Sequence, residues 1–265
     1  MIDFVLIIPC YNNREGLLRS LNSIGYDRQR FEVLIIDDGS EERLVESELC
    51  KGLLNGIQIT VLRNETNKGV VYSLNLALKA LLTRTDIKYI ARLDAGDLCA
   101  EERFVMQVEY LNKHADIALV GSRVLFEHFE TGRKYLYKNK TEYPDIQKEM
   151  HFKCSFIHPS VMFRVELLSD IGLYPENYPH CEDYAFFFKI IRSHKAVIFP
   201  QILLVSEISG HGVSDRNRTR QIFSRIKVVS RFGSNTLLQA GGIFKLLILL
   251  LVPRNTVRKL ITLNR

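Results

Sequence analysis

The stretch Ile87-Lys88-Tyr89-Ile90-Ala91-Arg92-Leu93-Asp94-Ala95-Gly96-Asp97 decides the fold. An apolar run comes in from solvent and ends on two carboxylates at a glycine-containing turn, and a helical pattern opens over 102–113. A second apolar run, Val33-Leu34-Ile35-Ile36, ends in the same way on Asp37-Asp38-Gly39-Ser40. Ligands of open α/β sheets bind at this carboxyl lip of the strands. Acids gathered there are desolvated and repel one another unless a cation or a donor-rich ligand lies between them. The economical reading is a divalent metal together with a ribose or base.

Outward from that stretch, apolar runs alternate with helical periodicities. Residues 4–8 form a continuous apolar run, as a central strand covered on both faces requires. It stops at Pro9-Cys10-Tyr11-Asn12-Asn13, and Leu17, Leu18, Leu21 and Ile24 follow at helical spacing. Strands are expected over 31–36 and 57–62, with a helix between them carrying Leu44, Val45, Leu49, Leu53 and Leu54. A polar loop, 64–69, leads to an apolar helix over 70–82. A short strand is expected over 117–121. Residues 122–160 are less regular, with a hairpin around Thr131-Gly132. A strand over 161–163, a short helix over 165–171, an apolar helix from Cys181 to Ile191 and two strands, 196–199 and 203–208, complete the body. The aromatic and proline-rich loop 174–180 reads either as a sugar platform or as simple packing. This alternation predicts an α/β fold: a Rossmann-like, mixed but mainly parallel sheet flanked by helices. No GxGxxG or GxxxxGK[ST] follows the first strand, which disfavours NAD-type and P-loop phosphate binding.

The chain has 265 residues with a formal net charge of +6. Eleven of the 36 Lys/Arg and none of the 30 Asp/Glu lie after Asp215, which leaves 25 basic against 30 acidic residues before it, a net of −5. Such a tail suits an anionic partner. Five scattered cysteines without CxxC spacing argue for a reducing compartment. The first residues begin a strand with no basic n-region, so they do not read as a signal peptide. The apolar run 246–252 falls far short of the ~20 residues a spanning helix needs.

Six motifs in order resemble family 2 glycosyltransferases of the GT-A fold: Ile8-Pro9-Cys10-Tyr11-Asn12, Ile36-Asp37-Asp38-Gly39-Ser40, Asn67-Lys68-Gly69, Arg92-Leu93-Asp94-Ala95-Gly96-Asp97, His158-Pro159 and Glu182-Asp183-Tyr184. The resemblance implies inverting transfer of a sugar, of the hexosyltransferase type, from a nucleotide-sugar donor to a hydroxyl. It implies Mn²⁺ or Mg²⁺ as cofactor, and by family frequency UDP as the nucleotide. It also implies roles. Pro9, Tyr11 and Asp38 hold the nucleobase, with Asp37 beside them. Asn67 and Lys68 lie near the same nucleotide. Asp94 contacts the ribose or the metal, and Asp183 is the general base, although acids at 182 and 183 would also cap a helix. The family carries an acid two residues after Asp94; here that position is Gly96, and Asp97 is expected to serve as the metal ligand instead. His211 resembles a late histidine that completes the metal or diphosphate site. His158 and Glu182 are expected at the acceptor.

Residues 1–215 therefore read as a catalytic domain, with a nucleotide-binding half over 1–120 and an acceptor-binding half over 121–215. A basic helix is expected over 216–232. Gly241-Gly242 is expected to break the chain ahead of an apolar segment flanked by cations. That segment reads as a monotopic anchor on an anionic leaflet, at the cytoplasmic face, serving a glycan or polyprenyl-linked acceptor in bacterial surface polysaccharide synthesis. Its alternative cover is the catalytic domain itself or the partner in a homodimer. Competing functions are a nucleotidyltransferase that makes a sugar nucleotide and a catalytically impaired nucleotide-sugar binder. Nucleic acid is not an expected partner, since no reading motif accompanies the basic tail.

Overall fold

A computed structural model of the chain describes residues 2–49, 56–128, 131–207 and 217–252. The chain order is β1 (Ile2–Cys10), α1 (Arg14–Asn22), β2 (Phe31–Asp37), α2 (Glu46–Leu49), β3 (Gln58–Arg63), α3 (Val70–Leu81), β4 (Ile87–Arg92), β5 (Leu98–Cys99) and α4 (Arg103–Lys113). Then come β6 (Ile117–His128), β7 (Arg133–Leu136), α5 (Tyr143–Glu149), β8 (Met162–Arg164), α6 (Leu167–Ile171), α7 (Glu182–Ser193), β9 (Lys195–Glu207), α8 (Arg218–Phe232) and α9 (Thr236–Leu251).

The strands form one nine-stranded sheet, ordered β3-β2-β1-β4-β8-β6-β9-β5, with β7 alongside β6. The β3-β2-β1-β4 half is parallel, so the C-terminal ends of β1, β2 and β4 share one lip. β8 enters antiparallel between β4 and β6, and β9 runs parallel to β6. This is the mixed, mainly parallel sheet expected from the sequence. In β1, Phe4, Leu6 and Ile8 face a core closed by α1 and α4, while Val5 and Ile7 face a second core closed by α3 and α7. Burial on both faces is what the unbroken apolar run demanded.

Several boundaries differ from the sequence reading. β6 continues to His128 rather than stopping at 121. The two strands expected at 196–199 and 203–208 are one strand, β9. Its register against β6 jumps from Ser122↔Phe199 to Arg123↔Ile202, so Pro200 and Gln201 bulge outward. Proline cannot donate to a ladder, and the bulge lets the strand pass over it. Helix α5 was not expected: its one fully buried apolar residue, Ile146, produces no periodicity. Of the second helix only Glu46–Leu49 is seen, and Leu53 and Leu54 lie outside the described residues.

The tail differs as well. α8 ends at Gly233, and Asn235 caps α9 by accepting from the Leu237 and Leu238 amides at 3.1 and 3.0 Å. α9 then runs straight through Gly241-Gly242, where a break was expected. A Cβ on Gly242 would sit 2.0 Å from the His151 carbonyl oxygen. Glycine here permits close helix packing, which outweighs its low helix propensity.

Candidate active site

At the lip of β2 two adjacent aspartates part company. Asp37 is fully buried; its carboxylate accepts from the Ser40 amide at 2.9 Å and pairs with Arg63, whose guanidinium also reaches the Ser40 carbonyl at 2.8 Å. Burial opposes ionisation of Asp37, but these donors outweigh it and hold the carboxyl below its usual range. Asp37 is thus turned into the protein, behind the nucleotide position expected for it. Asp38 faces the other way. It accepts from the Lys68 and Gly69 amides at 2.9 and 2.8 Å and from Asn64 Nδ2 at 2.7 Å. One carboxylate therefore shapes the 64–69 loop and presents Asn67 and Lys68. Gly39, at φ +79°, lies against that loop: a Cβ there would come within 2.5 Å of the Thr66 carbonyl carbon.

The Asp94–Asp97 turn is held from α1. Asn13 Nδ2 donates to the Ala95 carbonyl at 2.8 Å while its Oδ1 caps α1. Ser20 Oγ accepts from the Gly96 amide at 2.8 Å. Behind the turn lies Arg92, 1% exposed, which donates to the Ile7 and Leu93 carbonyls and to Asp94 Oδ1 at 2.6 Å. A second buried guanidinium, Arg103, ties the Arg92 and Pro159 carbonyls together, each at 2.8 Å. Asp94 is left half-exposed at the mouth of the site. Asp97 is buried beneath it, and its Oδ2 has no hydrogen-bond partner. Burial and the neighbouring Asp94 raise the Asp97 pKa, against the Ser206 hydroxyl, the Glu207 amide and Arg103. A Cβ on Gly96, at φ +113°, would lie 3.6 Å from Glu207 Oε2. A carboxylate from β9 thus stands beside the position that lacks its acid. Glu207, 111 residues away in sequence, carried no local signal.

Asp183 lies in the first turn of α7, accepts from the Tyr184 amide at 2.7 Å and borders the cleft; the helix start at Cys181 has no side-chain cap. Its pKa is pushed up to about 6, by burial first and then by Glu182, with Arg225 of α8 partly offsetting both. His158 Nε2 lies 2.8 Å from the Tyr174 hydroxyl and 3.4 Å from Arg92 Nε. Burial and Arg92 hold His158 well below the ordinary histidine range, as a neutral ring. The 174–180 loop is mainly packing: Tyr174 stacks on Phe186 at 4.1 Å, and both Tyr174 and Tyr178 are buried. Tyr178, Pro179 and His180 of that loop also border a cavity, and a second aromatic surface lies on the β6–β7 hairpin, where Phe126 and Tyr135 stack at 4.9 Å beside Tyr137.

These groups line two adjoining cavities. One, of about 630 Å³, is bounded by Pro9, Tyr11, Asp38, Asn67, Lys68 and Asp94. The other, of about 660 Å³, is bounded by His158, Asp183, Arg225 and the hairpin aromatics. Val70, Asp94, His180 and Glu182 border both. His180 holds φ +62°, a left-handed conformation rare for a side-chain-bearing residue, at this shared edge. Asp37 and Asp97 border neither cavity. His211 lies outside the described residues. Among the described residues no three Asp, Glu, His or Cys side chains form a complete metal-ligand set.

Comparison with known proteins gives the family and the fold. The sequence model described as "Glycosyl transferase family 2" matches residues 5–172. The amylovoran biosynthesis glycosyltransferase AmsE of Erwinia amylovora is 26% identical over 231 residues, 85% of this chain and 84% of that protein. The bifunctional glycosyltransferase pgtA of Dictyostelium discoideum is 28% identical over 209 residues, which is 68% of this chain but only 27% of that protein. Among solved structures, S. aureus TarS 1–349 superposes with TM-score 0.63 at 18% identity, covering 93% of this chain and 71% of that 1–349 chain. The Pyrobaculum calidifontis mannosyltransferase PcManGT, solved with GDP-Man and Mn²⁺, superposes with TM-score 0.64 at 16% identity, covering 91% of this chain and 68% of that one. Both share its fold.

Proposed function

The chain belongs to glycosyl transferase family 2, and we propose that it moves a sugar, with inversion, from a UDP-sugar to a hydroxyl of a glycan or lipid-linked acceptor. One observation carries the reading: the cavity holding Asp38 and Asp94 opens beside the cavity holding Asp183, with Asp94 and Glu182 on the border. A nucleotide-sugar in the first places the anomeric carbon of its sugar at that border, facing an acceptor in the second. Such placement converts a bimolecular encounter into an oriented one.

In this reading Pro9, Tyr11 and Asp38 hold the base and ribose, with Asn67 and Lys68 along the nucleotide. Asp37 acts from behind by fixing the Ser40 turn. Asp183 accepts the hydroxyl proton as the acceptor oxygen bonds to the anomeric carbon. The bond from that carbon to the diphosphate breaks on the opposite face, and its electron pair leaves with the diphosphate. A base with a pKa near 6 is ionised at neutral pH yet basic enough to share the proton. His158, Glu182 and Arg225 border the acceptor.

The orphaned Oδ2 of Asp97 beside the acidic Asp94 fits a hard divalent ion, Mn²⁺ or Mg²⁺, with Asp94 and Asp97 as protein ligands. When bound, such an ion offsets charge developing on the diphosphate leaving group. The diphosphate itself, and His211, are candidates for the remaining ligands. The similarity to AmsE supports a role in surface polysaccharide synthesis. Family membership leaves the nucleotidyltransferase alternative without support.

The test is calorimetric titration of UDP-, GDP- and dTDP-sugars with and without Mn²⁺, on the wild type and on Asp183→Asn. UDP-sugar should bind both proteins, with turnover lost in the variant. Full turnover by Asp183→Asn, or the absence of nucleotide-sugar binding, would sink the reading. Binding without turnover by the wild type across lipid-linked acceptors would favour the catalytically impaired binder.

A further inference from the structure

We propose that the outward face of α9 docks on the surface of an anionic lipid bilayer. α9 is apolar on both sides. Leu246 is 2% exposed and Gly242 packs against His151, so this side seats the helix on the catalytic domain. At 100° per residue, the positions opposite Leu246 are 237, 244, 248 and 251. There Leu237 is 83% exposed, Phe244 66%, Ile248 43% and Leu251 84%. Isolated exposed apolar residues are ordinary, but a contiguous helical stripe marks an interaction surface.

The charge pattern selects the occupant. The fifty residues from Arg216 onward hold eleven Lys/Arg and no Asp/Glu. Arg220 and Arg231 are exposed on α8, the antiparallel partner of α9, next to an exposed Phe223. The two helices are tied by Gln239, which donates to the Val229 and Ser230 carbonyls at 2.9 Å each, and by Arg218, which donates to the Val252 carbonyl at 2.9 Å. A second copy meeting this face would bring the same cations against it. An anionic leaflet offers apolar depth and opposite charge together. Sixteen residues of helix reach about 24 Å, less than the ~30 Å hydrocarbon core, so α9 would lie in the interface rather than cross it. Among the described residues no helix is long and apolar enough to span.

The full chain should be floated with vesicles of phosphatidylcholine alone, and with about one third phosphatidylglycerol, at low and high salt. The wild type should rise with the anionic vesicles and be released roughly tenfold by high salt. The triple variant Leu237→Asp/Phe244→Asp/Leu251→Asp alters solvent-facing positions only, so its melting temperature should hold while flotation is lost. Arg220→Glu/Arg231→Glu should cut flotation without altering the fold. Failure to float with either vesicle would overturn the proposal, as would equal flotation on neutral lipid. A dimer in sedimentation that the triple variant dissolves, with no vesicle binding, would assign the face to a second copy instead.

Discussion

The guanidinium of Arg92 meets the carboxylate of Asp94 at 2.6 Å across the last turn of a strand, with Arg92 buried and Asp94 at the mouth of the cleft. Arg92 is also anchored by two backbone carbonyls, so it holds Asp94 in one orientation. Lysine cannot reproduce this fork. Arg92→Lys should lose about 1–3 kcal/mol in urea melts, because the Ile7 and Leu93 carbonyls lose donors. Donor affinity should weaken at the same time; unchanged affinity would show that Asp94 needs no such brace.

Asp183→Asn should lower kcat by roughly 10²–10⁴ with donor affinity retained. For the wild type, kcat/KM should rise with pH along a limb near 6, the value to which burial and Glu182 push this carboxyl. The stability sign runs the other way. The folded pKa is raised above the ordinary 3.8, so the folded state resists ionisation of Asp183. The stability present below about pH 4 is therefore lost as pH rises toward 6 and stays lost above it. Asparagine should restore about 1–2 kcal/mol at pH 8 and little at pH 4, read from thermal or urea melts at both pH values.

Asp97→Asn should abolish the rise in melting temperature that Mn²⁺ and UDP produce together in the wild type. It should leave the metal-free protein as stable as before, or more so, because burial and Asp94 disfavour a charged carboxylate there. A Mn²⁺ response that survives the substitution would place the ion elsewhere.

Gly39→Ala should destabilise the protein by about 2–3 kcal/mol, since the position has φ +79° and its Cβ would strike backbone at 2.5 Å. The displaced segment carries Asn67 and Lys68, so UDP affinity should fall too. Both are measurable by denaturation and calorimetry on one preparation.

The lips of β2 and β4 were legible because each unites an apolar run, acids and a turn glycine within a few residues. The acid pair 182–183 at the start of an apolar helix was visible, but only the family resemblance singled out Asp183. The division of labour between Asp37 and Asp38 was not legible, because it depends on Arg63 and Asn64 arriving from β3 and the loop after it. Glu207 and Arg225 were missed for the same reason: both reach the site through tertiary packing, and neither lies in a local motif. The two readings of the 174–180 loop were not separable in sequence, since stacking on Phe186 and stacking on a sugar have the same composition. Gly241-Gly242 looked like a stop because propensity acts locally, whereas its use here is steric and against His151.

The wall common to both cavities, made of Val70, Asp94, His180 and Glu182, sets a timetable as well as a geometry. Under the proposed assignment of the cavities, a bound donor would supply part of the surface that meets the acceptor along this wall. Turnover should therefore follow a compulsory order, with the nucleotide product competing against donor and acting non-competitively toward acceptor in steady-state inhibition.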